Sequence, residues 1–246
     1  MVVLSDCHDL SDYHIAVPLL FDKLPIQWDN WNDKKIALKV NLVSYMPHPF
    51  TTHPELVAVV AQELGNRCKD TDIFIIEGSP QSATQMYAKH GYFHLPYNLI
   101  DVDTRTAYYT SKIQDEVLPE VQLPVALQDA ILVSIAVAKE HQDCVFTGCV
   151  KNLVGLPPTQ LYTHNGLWKD KLHDNDINMV IKALNKHKPI DLAILDASVG
   201  TRGCHMCGEY ANPPIGKLLM GDDAFEVDCY GCELMGIPAD TVPHLN

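Results

Sequence analysis

The sequence predicts an α/β protein with a largely parallel or mixed sheet and helices on both faces. Three observations lead there. Residues 72–77, 131–138 and 192–195 are short apolar runs of the kind that fill strands buried on both faces. Segments with apolar residues at helical spacing fall between them. The two patterns alternate along the chain, which is the signature of crossover connections between parallel strands. No stretch is rich enough in Gly, Ser or Pro to mark a linker, so residues 1–246 are read as a single domain, with 119–124 the one candidate break.

Each element has a local reason. The first thirty residues are mixed, and Trp28 and Trp31 punctuate them without defining an element. Residues 34–43, Lys-Lys-Ile-Ala-Leu-Lys-Val-Asn-Leu-Val, alternate partially and predict a strand. A loop rich in Pro and His follows at 46–50. Thr52 or His53 then precedes Pro54, a first-turn residue of a helix, and Glu55 suits its positive end. Leu56, Val59, Val60 and Leu64 keep helical spacing until Gly65. After the strand at 72–77 the turn Gly78-Ser79-Pro80 leads to a weaker helix at 82–90 and a strand at 99–102. A strand at 131–138 precedes a short one at 144–147. Asp174 is the expected cap of a helix whose stripe is Ile177, Val180, Ile181 and Leu184. The strand at 192–195 ends in Asp196, and 225–235 predicts a final short helix.

The bulk numbers exclude several classes. The formal charge is −13, so the surface as a whole repels nucleic acid and anionic membranes. No apolar run reaches the roughly 18 residues of a membrane span. The N-terminus has no basic region or apolar stretch of a secretory signal, so the default expectation is a cytoplasmic protein. Eight cysteines in that setting point to free thiols, metal ligation or redox use rather than a disulfide framework.

Four of those cysteines form two tight pairs, Cys204-x-x-Cys207 and Cys229-x-x-Cys232, separated by 21 residues. A two-residue gap lets both sulfurs point at one ion, so four thiolates at this spacing suit one iron–sulfur cluster or, alternatively, one zinc ion. Gly208 after Cys207 suits a metal knuckle. Two other readings fit the second pair. Cys229 and Cys232 lie three apart on the predicted last helix, where small thiols commonly fill a core seam or act as a redox dithiol. Cys144 and Cys149 read as buried thiols, and Cys7 and Cys68 have no visible partner.

A second constellation is basic. Lys39 and Asn41, His48 and His53, Lys139 and His141, and Lys151 and Asn152 all fall at ends of predicted strands or in the loops after them, and Arg202 and Lys217 flank the cysteine loop. Gathered at one sheet edge they would form an anion pocket, with His53, His141 and Lys151 as the catalytic candidates and Lys39, Asn41, Lys139, Asn152 and Arg202 as anion ligands. Taken singly, each lysine is equally a solvated surface charge. Asp196 is a site or capping acid at a strand end, and Asp228 a cap of the last helix. No nucleophile elbow, P-loop, dinucleotide fingerprint or zinc-helix motif is present.

These residues carry a resemblance. Lys39-Val-Asn-Leu-Val43, Thr51-Thr-His-Pro-Glu55, Lys139-Glu-His141, Thr147-Gly-Cys-Val-Lys-Asn-Leu-Val-Gly155 and Leu195-Asp196 run in the order found in the domain of unknown function 362 family. Asp223-Ala-Phe-Glu-Val-Asp228 with Leu234-Met-Gly236 resembles that family's closing segment. The resemblance runs from about Lys35 onward. It implies the α/β fold and a shared pocket of Lys39, Asn41, His53, Lys139, His141, Lys151 and Asn152. Longer members carry a ferredoxin-like cysteine segment that these 246 residues do not contain. The chain also departs at Cys-His-Met-Cys, at Cys229 and Cys232, and at Val40, where Pro is usual. The combined expectation is a metal- or iron–sulfur-binding protein with an anion cleft, acting with a redox partner on a small anionic molecule. A metal-free hydrolase or transferase and a binding module with structural zinc are the alternatives.

Overall fold

A computed structural model describes residues 1–104 and 107–246 of the chain. The strands in chain order are β1 (Val2–Asp6), β2 (Lys35–Lys39), β3 (Asp72–Glu77), β4 (Asn98–Asp101), β5 (Tyr108–Lys112), β6 (Glu120–Pro124), β7 (Ile131–His141), β8 (Val145–Thr147), β9 (Leu192–Arg202), β10 (Glu209–Tyr210) and β11 (Lys217–Gly221). The helices are α1 (Tyr13–Lys23), α2 (Pro54–Arg67), α3 (Ala83–Lys89), α4 (Thr159–Tyr162), α5 (Ile177–His187) and α6 (Ala224–Leu234). Among the described residues nine strands form one mixed sheet in the order β1-β11-β9-β7-β2-β3-β4, with β8 added on β7 and β10 on β9. From β9 to β4 that path is parallel, while β11 and β1 add antiparallel pairings at one edge. Strands β5 and β6 form a separate hairpin.

Two-residue alternation sorts the core into two layers. Ile36, Leu38, Val133, Ile135, Leu192 and Ile194 pack against α1, α2 and α3 on one face. Ala37, Leu132, Ala136, Ala193 and Leu195 meet α5, α6 and the hairpin residues Val121 and Leu123 on the other. The expected mostly parallel sheet with helices on both faces is therefore present. None of its helices is long and apolar enough to cross a membrane among the described residues.

Several boundaries differ for physical reasons. The first predicted strand stops at Lys39, because Asn41 and Leu42 turn out of the sheet. The Asn41 amide donates to Thr52 Oγ1 and the Leu42 amide to Glu77 Oε2. Strands β7 and β9 run well past their apolar stretches, so Lys139 and His141 lie inside β7 rather than after it. Helix α1 carries Pro18 and apolar residues around its circumference, so no stripe announces it. The cap of α5 is Asp176, not Asp174, and the cap of α6 is Asp223, not Asp228.

Chain order reverses between β2 and β7. After β2 the chain moves outward to β3 and β4, then returns to place β7 on the other side of β2. The crevice above the carboxyl ends of two strands that diverge this way is the ordinary ligand position of an open α/β sheet. Lys39 ends β2, Glu77 ends β3, and β7 carries Lys139 beyond them.

Asp228 fixes the segment that completes this crevice. It is fully buried on α6 and accepts from the amides of Cys149 (2.7 Å) and Val150 (2.9 Å), immediately before Lys151. Asp228→Ala leaves both amides buried and unpaired. It should lower stability by about 2–4 kcal/mol in urea unfolding, given roughly 1–3 kcal/mol per orphaned buried group.

Candidate functional site

The crevice is narrow, with about 40 Å³ of accessible space, room for a few water molecules or a very small solute. Lys39, Asn41, Lys139, Lys151 and Asn152 line it, as the sequence suggests. Glu77, Thr147, Gly155, Trp168 and His205, which sequence reasoning did not single out, line it too.

One hydrogen-bonded chain connects the walls. Glu77 Oε1 accepts from Lys39 Nζ (2.7 Å) and from the Gly78 amide (2.8 Å). Lys39 Nζ also donates to Asn152 Oδ1 (3.0 Å) and to the Val40 carbonyl (2.6 Å). Asn41 Nδ2 donates to the same Asn152 oxygen, and Asn41 Oδ1 accepts from Lys139 Nζ (2.7 Å). Lys139 Nζ ends the chain on the Phe50 carbonyl (2.9 Å). Asn152 Nδ2 closes back onto the Lys39 carbonyl and Ser134 Oγ. The tight turn Lys151–Gly155 packs directly on this chain. A Cβ at Gly155 would stand 2.7 Å from both Glu77 Oε1 and Lys39 Nζ, so only glycine fits. A further buried lysine, Lys169, holds the turn from behind by donating to the carbonyls of Val154 and Gly155 (2.9 Å each).

The cleft therefore gathers cations around a single carboxylate. Burial lowers the pKa of Lys39, against the pull of Glu77. Lys139 is pushed down to about 7, first by burial and then by the charge of Lys151. Lys169 is lowered to about 7 by burial. Burial also lowers Lys151, whose ammonium has no hydrogen-bond or ion-pair partner among the described residues. Two polar atoms of the wall are likewise buried and unsatisfied, Thr147 Oγ1 and His205 Nδ1.

The predicted histidines separate. His141 stacks on His205 with ring centroids 3.9 Å apart, at the rim of the cleft. Its Nδ1 accepts from the amides of Asp143 and Cys144, so the proton sits on Nε2. Burial and then the Lys151 charge hold its pKa down to about 2, so the ring stays neutral. His53 does not line the cleft. It caps α2, with Nδ1 accepting from the Glu55 amide, and lies 6.0 Å from the His48 ring. His48 belongs to another cluster, in which buried Asp196 accepts from His48 Nε2 (2.9 Å) and Tyr13 OH (2.6 Å). Arg202 is not an anion ligand here, because it is spent on Glu140 and the Met235 carbonyl. Lys217 pairs with Asp6 at the antiparallel edge.

The four-cysteine centre is not assembled, whether as iron–sulfur or as zinc. Cys204 and Cys207 sit at the tip of the β9–β10 hairpin and form a disulfide with each other. Cys229 and Cys232 follow helical spacing on α6, where Cys232 is buried in the core and burial raises both thiols above their ordinary pKa. Among the described residues no group of three or more His, Cys, Asp or Glu side chains is arranged to hold a metal ion. The remaining cysteines, Cys7, Cys68, Cys144 and Cys149, are free and buried.

The family model described as Domain of unknown function (DUF362) matches residues 36–233, and the chain belongs to that family. No curated protein matches it in sequence. In structure the chain is similar to the lactate racemase apoprotein from Thermoanaerobacterium thermosaccharolyticum, with a TM-score of 0.59 at 12% identity. The match covers 94% of this chain and 56% of the racemase chain, so it spans little more than half of that protein. At such identity the likeness is one of fold.

Breaking the central ion pair is the sharpest test of the network. Glu77→Gln leaves Lys39 buried against a neutral partner and should cost about 3–5 kcal/mol in urea unfolding, the usual scale for removing one partner of a buried pair.

Proposed function

We propose that this DUF362-family protein is an enzyme whose lysine cleft binds a small carboxylate and performs acid–base chemistry on it. The single observation that carries the reading is the charge imbalance of the cleft. Lysines 39, 139 and 151 line it with one carboxylate, Glu77, and the Lys151 ammonium has no hydrogen bond or ion pair among the described residues, with Asp143 acting on it only at longer range. Lys151 is partly exposed and lines the cleft, so its ammonium is within reach of an entering anion, which would supply the close counter-charge that it lacks. An entering carboxylate would take Lys151 as its anchor, with the free Thr147 hydroxyl as a second donor. Lys139, titrating near neutrality, is suited to accept and return a proton. Neutral His141 at the rim has its Nδ1 occupied by two amides and its proton on Nε2, so it offers no free acceptor and Lys139 is the principal base.

The fold likeness adds a direction for the test. The racemase named above acts on lactate, a small 2-hydroxy carboxylate; inverting such a centre requires the hydrogen on that carbon to leave and return, and a proton is the form of it that a lysine base could carry. The expected electron-transfer role is not carried forward, since it depended on four cysteines that do not share a site.

Calorimetric titration with lactate, acetate and inorganic phosphate tests the binding step. Lys151→Met should weaken carboxylate binding by roughly tenfold or more, on the scale of a charge-assisted contact. An unchanged affinity removes the anchor role, and no binding by any of the three probes, with or without dithiothreitol, removes the reading. Incubation with lactate in deuterated water, followed by proton NMR, tests for exchange at the carbon beside the carboxylate.

The pH dependence has a fixed sign. In the free protein Lys139 loses its proton near pH 7, and a bound anion favours the ammonium and raises that value. Binding just above pH 7 should therefore take up protons, seen as heats that vary with buffer ionisation enthalpy, and affinity should fall as pH rises from 7 to 9. Lys139→Met should abolish the proton uptake.

A further inference from the structure

The disulfide of the β9–β10 hairpin brackets a residue of the cleft. Cys204 and Cys207 enclose His205 and Met206. His205 lines the cleft and stacks on His141, while the Met206 carbonyl accepts from Ser44 Oγ (2.9 Å). The tip is tightly wound. The Gly208 amide donates to the Cys204 carbonyl (2.8 Å), and a Cβ at Gly208 would collide with the Arg202 carbonyl oxygen. Its stem is held by Arg202 and the Gly203 amide on Glu140. Between stem and tip the disulfide is the one covalent tie, and Cys207 is exposed.

We propose that Cys204–Cys207 is a reversible thiol–disulfide site, reduced by a small dithiol or a dithiol protein, whose oxidised form clamps His205 as a wall of the lysine cleft. The space left in the oxidised form holds only a few waters, so a solute of lactate's size enters when this wall moves. The other walls are sheet ends and the turn Lys151–Gly155, fixed by the network around Lys39 and by Lys169, and Trp168, whose indole N–H donates to Thr159 Oγ1 (3.1 Å). The hairpin tip is the wall with freedom to move once its covalent tie is cut.

The exchange balances as follows. A reductant thiolate attacks the accessible Sγ of Cys207, the S–S bond breaks, and Cys204 leaves as a thiolate. The second reductant thiol then attacks its own sulfur in the mixed disulfide and releases Cys207. The reductant ends as a disulfide, and the two protein thiolates take up the two protons it gave up. A thiolate at Cys204 is adjacent in sequence to His205, whose pKa is lowered to about 4, first by burial and then by the charges of Lys151 and Lys139. Positive surroundings of that kind make a cysteine a good leaving group.

The gate rests on the anion reading only for its consequence, so two measurements separate them. Cyanate, a small anion that carbamylates neutral amines, probes access to Lys139 and Lys151 by mass spectrometry without needing any ligand. Their labelling should rise roughly tenfold on reduction with dithiothreitol, within the usual span of coupled sites, and be equally fast without reductant in Cys204→Ser/Cys207→Ser. Calorimetry with lactate should show tighter binding to the reduced protein and the double variant. Equal labelling in all three forms, with the fold intact by circular dichroism, overturns the gate. Faster labelling on reduction without binding of any anion keeps the gate and discards the carboxylate reading.

Discussion

The Lys39–Glu77 ion pair is the constraint on which the rest of the site depends. Both side chains are buried at the ends of adjacent parallel strands, where neither charge tolerates a missing partner. Glu77 meets its needs with Lys39, the Gly78 amide and the Leu42 amide. Lys39 meets its own with Glu77, Asn152 and the Val40 carbonyl. Together these bonds tie down three segments: the exit of β3, the loop after β2, and the turn after β8. The ion pair thus fixes the loop backbone that displays Asn41 and, through it, the position of the Lys139 ammonium. Lys151 is held indirectly, between Asn152 on one side and the amides bound by Asp228 on the other.

Much of this was legible in the sequence because polar residues interrupt apolar runs at strand ends. Lys39, Lys139 and Asn152 stand out for that reason, and all three line the cleft. Glu77 has the same position at the end of β3 but reads as the polar edge of a turn, since nothing local announces that its partner is 38 residues away. Lys169 sits in a loop without periodicity, and only the fold brings it under the turn. Helix α1, the edge strand β1 and its neighbour β11 were missed because short or unstriped apolar segments carry no period to detect. Strand lengths were underestimated where polar residues stay in the ladder. Lys139 pairs with Thr147 on one side and Thr201 on the other, so β7 continues although its apolar pattern has ended.

The cysteines show the converse, a strong linear pattern that space does not honour. Two couples at equal internal spacing suggest one tetrahedral centre, yet one couple lies on a hairpin tip and the other on a helix. On a helix a three-residue step puts both sulfurs on one face, and the face here turns Cys232 into the core. On the hairpin the same step brings the two sulfurs together. Identical spacing thus has opposite consequences in the two backbones, and spacing alone could not reveal which backbone each couple occupies.

Charge is the other property that sequence and structure report at different scales. A formal charge of −13 describes the whole surface, whereas the cleft concentrates lysines around one carboxylate. The two coexist because exposed charges are screened within about 8 Å at physiological salt, while buried ones are screened much less. A polyanion long enough to contact both the surface and the cleft meets net repulsion. A compact anion that passes the rim exchanges that surface for the local field of Lys139 and Lys151. The acidic exterior and the basic interior therefore act on an anion in opposite senses, and the space beside His205 limits what can lie against the lysines.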